Sequence, residues 1–102
     1  MSTQDTHSAR LAAFAAGLQF DSIPAPVLRR TEDLFLDWTG STLAGKSARA
    51  VQAIEAYAAS MGPADGSAEV LITRRMTSQH FAAMVNAAAS HFAEQDDVHN
   101  GS

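Results

Sequence analysis

Prolines at 24 and 26 and the turn-rich run GPADGS at 62–67 divide the 102-residue chain into pieces that cannot be joined into one long helix. Each proline fixes φ, removes a backbone donor and pushes the residue before it out of the helical region. Between these marks, apolar residues recur at three- and four-residue steps, the period of a helix with one buried face. The punctuation and the period together predict an all-α chain of about four helices.

The first helix is expected from Asp5 or Ser8 to Gly17, with Leu11, Phe14, Ala15 and Leu18 on one face and Gly17 in a left-handed C-cap. The second runs from about Ala25–Val27 to Ala44, with Pro26 in its first turn and Gly45 after its end. Leu34, Phe35, Leu36 and Trp38 cover more than one face of it, which predicts burial on most sides. Gly40 in its interior predicts a close helix crossing, since a helical glycine otherwise costs ~1 kcal/mol. Asp37 reads as an exposed or capping carboxylate. A third helix is expected over 48–61, with Val51, Ile54, Tyr57, Ala58 and Met61 as its stripe.

Ala68–Ile72 (AEVLI) is the one strand-like run. A single strand leaves its backbone groups unpaired, and the chain offers no evident partner strand. The fourth helix starts behind Ser78, a good N-cap, and carries Phe81, Met84, Val85, Ala88 and Phe92 on its apolar face. Its many alanines let neighbouring backbones come close. Asn86 and Ser90 fall on a different face.

Composition narrows the function classes. A formal net charge of −4 and scattered basic residues argue against nucleic-acid binding. The absence of cysteine excludes disulfides, thiolate metal sites and a cysteine nucleophile. The N-terminus is too polar for a secretory signal, and no run approaches the ~20 apolar residues of a membrane span; a cytoplasmic location is expected. At 18% charged residues, the chain has little polar surface with which to cover itself, and burial against something else is expected.

Groups able to do chemistry gather at the end, in HFAEQDDVH, residues 91–99. Three readings compete. His91 and Glu94 are i, i+3 neighbours and could share a metal, but no other helix offers a matching Glu-x-x-His, so the site does not close. The run could equally be a solvated acidic helix end. Or it could be an acid–base site, in which crowding drives the pKa values of carboxylates and histidine apart.

The segment MVNAAASHFAEQDDVHNGS resembles the signature of the MmgE/PrpD family, in which an Ala-rich helix containing an asparagine runs into an acidic D-x-D-D-T-H type loop. LAAFAAGLQFDSIPAPV, LDWTGSTLAG and GPADGSAEVL resemble upstream segments of the same family, in the same order. The resemblance covers essentially all of this chain but only the N-terminal portion of the family's longer chains, so the sequence is expected to be a fragment. That family includes 2-methylcitrate dehydratase, cis-aconitate decarboxylase and iminodisuccinate epimerase, with a large helical domain and a smaller α/β domain.

The resemblance implies a homo-oligomer acting on a small polycarboxylate without metal or organic cofactor. It also implies proton abstraction beside a carboxylate, then elimination, decarboxylation or epimerisation. Matched residue by residue, the first acidic position falls on Glu94, the paired acids on Asp96 and Asp97, and the following histidine on His99. Glu94 stands where the family often has aspartate, and Val98 where it often has threonine; both bear on substrate identity. No cationic partner for a polycarboxylate lies near the cluster, so this chain alone is expected to be inactive. The rival expectation is a stand-alone helical interaction or dimerisation module without catalysis.

Overall fold

A computed structural model describes residues 6–93. Four helices follow in the expected order: α1 (His7–Gly17), α2 (Ala25–Ala44), α3 (Arg49–Met61) and α4 (Gln79–Phe92). A three-residue 3-10 turn, Phe20–Ser22, leads from α1 to Pro24. Between α3 and α4 lie two short strands, β1 (Ala68–Val70) and β2 (Arg75–Thr77). The described residues form two compact units, divided between Asp33 and Leu34 of α2.

The helix starts obey local chemistry. Thr6 accepts a hydrogen bond from the Ala9 N–H at 3.1 Å and Ser78 accepts one from Phe81 N–H at 3.4 Å, each side chain satisfying a donor that the first turn leaves open. The expected end of α1 is corrected. Gly17 is the last helical residue and does not take the left-handed conformation; the chain leaves through Leu18 in extended geometry, whose N–H donates to Ala15 O.

The strand at 68–70 has a partner after all, and the expectation of an unpaired strand is overturned. β1 and β2 pair antiparallel, with Ala68 opposite Thr77, Glu69 opposite Met76 and Val70 opposite Arg75. Leu71–Arg74 reverse the chain, Arg74 N–H donating to Val70 O at 2.7 Å. Arg74 takes φ 64°, a conformation costing a non-glycine residue about 1 kcal/mol. Turns of this kind favour Gly or Asn; an arginine there hid the hairpin from the sequence.

The core lies in the second unit: Val51 and Ala58 from α3, Val70 and Ile72 from the hairpin, and Ala82, Val85 and Ala89 from α4. The buried line of α4 is therefore Ala82–Val85–Ala89. Phe81 and Met84 pack at its margin, and Phe92 is exposed. Small residues win the centre because α4 approaches other backbone closely. The backbone of Gly45 sits against Ala89, and a Cβ at position 45 would lie 2.3 Å from the Ala89 carbonyl oxygen. Two buried hydroxyls are satisfied locally: Thr42 Oγ1 donates to Trp38 O and Thr77 Oγ1 to Pro63 O, both at 2.8 Å.

α2 is not buried on most sides. Its only buried residues are Ser41 and Thr42, while Phe35, Leu36 and Leu43 stand exposed. Gly40 makes no close crossing either: among the described residues, nothing lies within 4 Å of a Cβ built there. The crossing glycine is Gly45. Gly40→Ala is accordingly expected to stabilise the dilute chain by about 0.5–1 kcal/mol, measured by urea denaturation, because it removes backbone freedom from the unfolded state at no steric cost. A loss of stability would show that position 40 is crowded.

Within the first unit, residues 6–33 bury no side chain completely. Leu11 and Phe14 of α1, and Leu18 just after it, are all exposed. An 11-residue helix with no buried face is marginal in water on its own. In all, twelve large apolar side chains are exposed among the described residues.

Candidate functional site

Glu94, Asp96, Asp97 and His99, the acidic and histidine positions singled out by the sequence, lie outside the described residues. What the structure describes is the platform from which the chain reaches them. α4 ends at Phe92 with Ala93 as its C-cap, and His91 is the basic residue of its last turn, where the helix dipole favours positive charge. His91 is exposed. Among the described residues no three His, Asp or Glu side chains gather in a way that could hold a metal ion.

Three attachments fix α4 and the hairpin. The first is Asn86, whose side-chain oxygen accepts from Leu71 N–H while its side-chain nitrogen donates to Glu69 O, both at 2.9 Å. Because Val70 faces β2, Glu69 O and Leu71 N–H belong to the outer edge of β1. One amide side chain thus takes the place of a third strand on that edge. The placement of Asn86 on a face away from the packing is corrected: it is half-buried and faces the hairpin.

The second attachment joins the hairpin to α3. Arg75 Nε donates to Glu55 Oε1 at 2.9 Å, with the two side chains 25% and 14% exposed. The pair is singly bonded, and among the described residues Glu55 Oε2 and Arg75 Nη2 are buried without a partner. A second ion pair, Arg74 with Glu69, is largely solvated on the arginine side and contributes little. The third attachment is the backbone contact of Gly45 with Ala89.

A concavity opens on each unit. One, of about 360 Å³, lies between the α2–α3 connection, α3 and the hairpin loop, and is lined by Lys46, Ser47, Gln52, Glu55, Ala56, Ile72 and Thr73. The other, about 450 Å³, belongs to the first unit and is lined by Phe14, Leu18, Ser22, Ile23, Pro24, Val27 and Thr31. Of the basic side chains in the hairpin, Arg74 and Arg75 are each engaged by a glutamate.

Asn86, the Glu55–Arg75 pair and Gly45 escaped sequence reasoning. An asparagine inside an alanine-rich helix, where it is a weak helix former, was the available signal for the first. The pair joins positions twenty apart and left no local trace.

Among comparisons with known proteins, the family model described as the MmgE/PrpD N-terminal domain matches residues 9–102. No curated protein and no solved structure matches the chain. No helix of the described residues is long and apolar enough to cross a membrane.

Proposed function

The chain belongs to the MmgE/PrpD family, and from that membership we propose that it is the N-terminal part of a lyase or isomerase acting on a small polycarboxylate. The family match over residues 9–102 is the observation that carries this reading. The acid-rich run that follows α4 supports it: Glu94, Asp96, Asp97 and His99 bring bases of different strength together within six residues.

The chemistry proposed is removal of a proton from a carbon next to a carboxylate. The carbanion that results then forms a carbon–carbon double bond as the β-hydroxyl takes a proton from protonated His99 and leaves as water, or it is reprotonated on the opposite face; the decarboxylating variant loses carbon dioxide instead and takes up a proton. Glu94 is the proposed base, with Asp96, Asp97 and His99 shaping the pocket and relaying protons. A base of this kind contributes about 10²–10⁴-fold when correctly placed. The anionic substrate and intermediate need cationic partners; in this reading they come from a longer polypeptide of which this chain is a part, working in the cytoplasm without metal or organic cofactor.

The test uses the native polypeptide with a panel of small hydroxy-, amino- and unsaturated di- and tricarboxylates in D2O, followed by proton NMR. The expected result is turnover, or deuterium entry at a carbon beside a carboxylate, that survives EDTA. Glu94→Gln is expected to lower kcat by about 100-fold or more. Silence across the panel would overturn the reading. So would variants at all four positions that leave kcat within about twofold, a change too small for loss of a general base.

A further inference from the structure

Thr77 holds the loop between α3 and β1 at both ends. Its hydroxyl donates to Pro63 O at 2.8 Å, and its carbonyl oxygen stands where a Cβ at position 66 would be, so the close approach requires Gly66. Thr77 itself is fully buried at the end of β2. Residues 63–66 thus form a short arch with both feet on one buried residue.

The residue before that glycine is Asp65. It is exposed, and among the described residues its carboxylate enters no hydrogen bond or ion pair. Nor does Gly66 N–H enter a backbone hydrogen bond among them. A free carboxyl and a free backbone nitrogen are therefore adjacent, with no side chain on Gly66 to obstruct their meeting. The other described aspartates differ. Asp33 and Asp37 lie inside α2 and precede Leu34 and Trp38, whose side chains crowd the nitrogen and whose helical backbone must first open. Asp21 precedes Ser22, whose N–H is occupied by Gln19 O at 3.0 Å.

We propose that Asp65–Gly66 is a site of spontaneous covalent modification, at which the aspartate isomerises to isoaspartate and lengthens the arch on Thr77. The Gly66 nitrogen bonds to Asp65 Cγ and gives up its proton, and a carboxyl oxygen leaves Cγ as water. The product is a five-membered succinimide. Water then adds to the former main-chain carbonyl of Asp65, whose bond to the Gly66 nitrogen breaks. The main chain now runs through Cβ and Cγ, and the old carbonyl carbon becomes the side-chain carboxylate. Composition and net charge are unchanged, but the main chain is one carbon longer.

An arch pinned at both feet has no room for that carbon. With Pro63 held by the Thr77 hydroxyl, Gly66 must leave the Thr77 carbonyl, and β1, which begins at Ala68, starts from a shifted origin. The core residues Val70 and Ile72 follow it. The packing that demands a glycine at 66 is thus what leaves the preceding aspartate open to attack. The inference is independent of the chemistry proposed above, since the reaction needs no substrate and no catalyst.

The test is to age the purified chain in warm neutral buffer and map it by trypsin and mass spectrometry. Fragment 50–74 carries Asp65 as its one aspartate and contains no asparagine, while the Asn100–Gly101 pair, which rearranges through the same ring, falls in fragment 76–102. Endoproteinase Asp-N cuts before aspartate and not before isoaspartate, so resistance of fragment 50–74 reads the conversion. Isoaspartate is expected at position 65 at least about tenfold faster than at Asp33 or Asp37, which local helix opening protects. Asp65→Glu, which would need a six-membered ring, is expected to show none, and Asp65→Asn, with ammonia as the leaving group, to convert faster. Fresh wild type and fresh Asp65→Glu should melt alike, as expected for an exposed substitution. After ageing, the wild type is expected to melt about 4 °C or more below Asp65→Glu, and because both carry Asn100 the difference belongs to Asp65. A fragment 50–74 that stays fully cleavable, or that converts no faster than the helical aspartates, overturns the site. Conversion that leaves the aged wild type melting with aged Asp65→Glu overturns the lengthened arch.

Discussion

Gly45→Ala is expected to cost about 3 kcal/mol of stability and to lower the melting temperature by more than about 10 °C. The reason is that the added methyl has nowhere to go. Its carbon would lie 2.3 Å from the Ala89 carbonyl oxygen, 3.0 Å from the carbonyl carbon and 3.1 Å from Cα. All three are backbone atoms of a helix, and no side-chain rotation relieves them. The α2–α3 connection must lift off α4, taking contacts with the buried line Ala82–Val85–Ala89 with it. Thermal and urea denaturation read the effect directly. A Gly45→Ala chain within about 0.5 kcal/mol of wild type, the range of a neutral surface change, would mean that the connection is not seated on α4 as described. The opposite sign expected at Gly40, on the same helix-to-turn segment, makes the pair a sharper test than either alone.

Glu55→Ala is expected to cost about 2–3 kcal/mol, somewhat below the 3–5 kcal/mol typical of breaking a fully buried pair, because a quarter of the Arg75 side chain still meets solvent. The substitution strands a guanidinium that already has one buried nitrogen with no partner among the described residues. Replacing both members, Glu55→Leu with Arg75→Met, is expected to recover most of the loss, since a singly bonded pair with two orphaned atoms recovers little of its own desolvation. A double-mutant cycle by urea denaturation measures this. If the double variant is as unstable as the sum of its parts, the pair has no coupling and the two side chains act separately.

The four helices were legible because their determinants are local. Pro24, Pro26 and Ser78 act on neighbouring backbone, and the apolar period needs no knowledge of what it packs against. What the period could not disclose was whether a stripe meets protein or solvent. Phe35, Leu36 and Leu43 look in sequence like core, and only the placement of the other elements shows that they are surface. The same holds for the glycines, since nothing local to 40 or 45 tells which one meets another backbone, and a carbonyl from α4, more than forty residues on, decides between them. The hairpin was hidden by Arg74, whose left-handed backbone breaks the usual turn vocabulary. Of the candidate site, the motif at 91–99 located residues by pattern alone, and the structure contributes the attachments of the helix that precedes them.

Asn86 addresses only main-chain atoms, Glu69 O and Leu71 N–H. Its hold on the hairpin is therefore blind to the side chains of the hairpin itself. Exposed positions of the loop, such as Thr73, can be exchanged without loosening α4, whereas position 86 admits almost nothing else, because no other side chain of that length offers a donor and an acceptor side by side. In a saturation library of this region the tolerance would be lopsided: a loop permissive at its exposed positions, though not at the core residue Ile72, facing a single intolerant residue on the helix. Variation in the loop is in this sense free, and the freedom is granted by a residue that lies outside it.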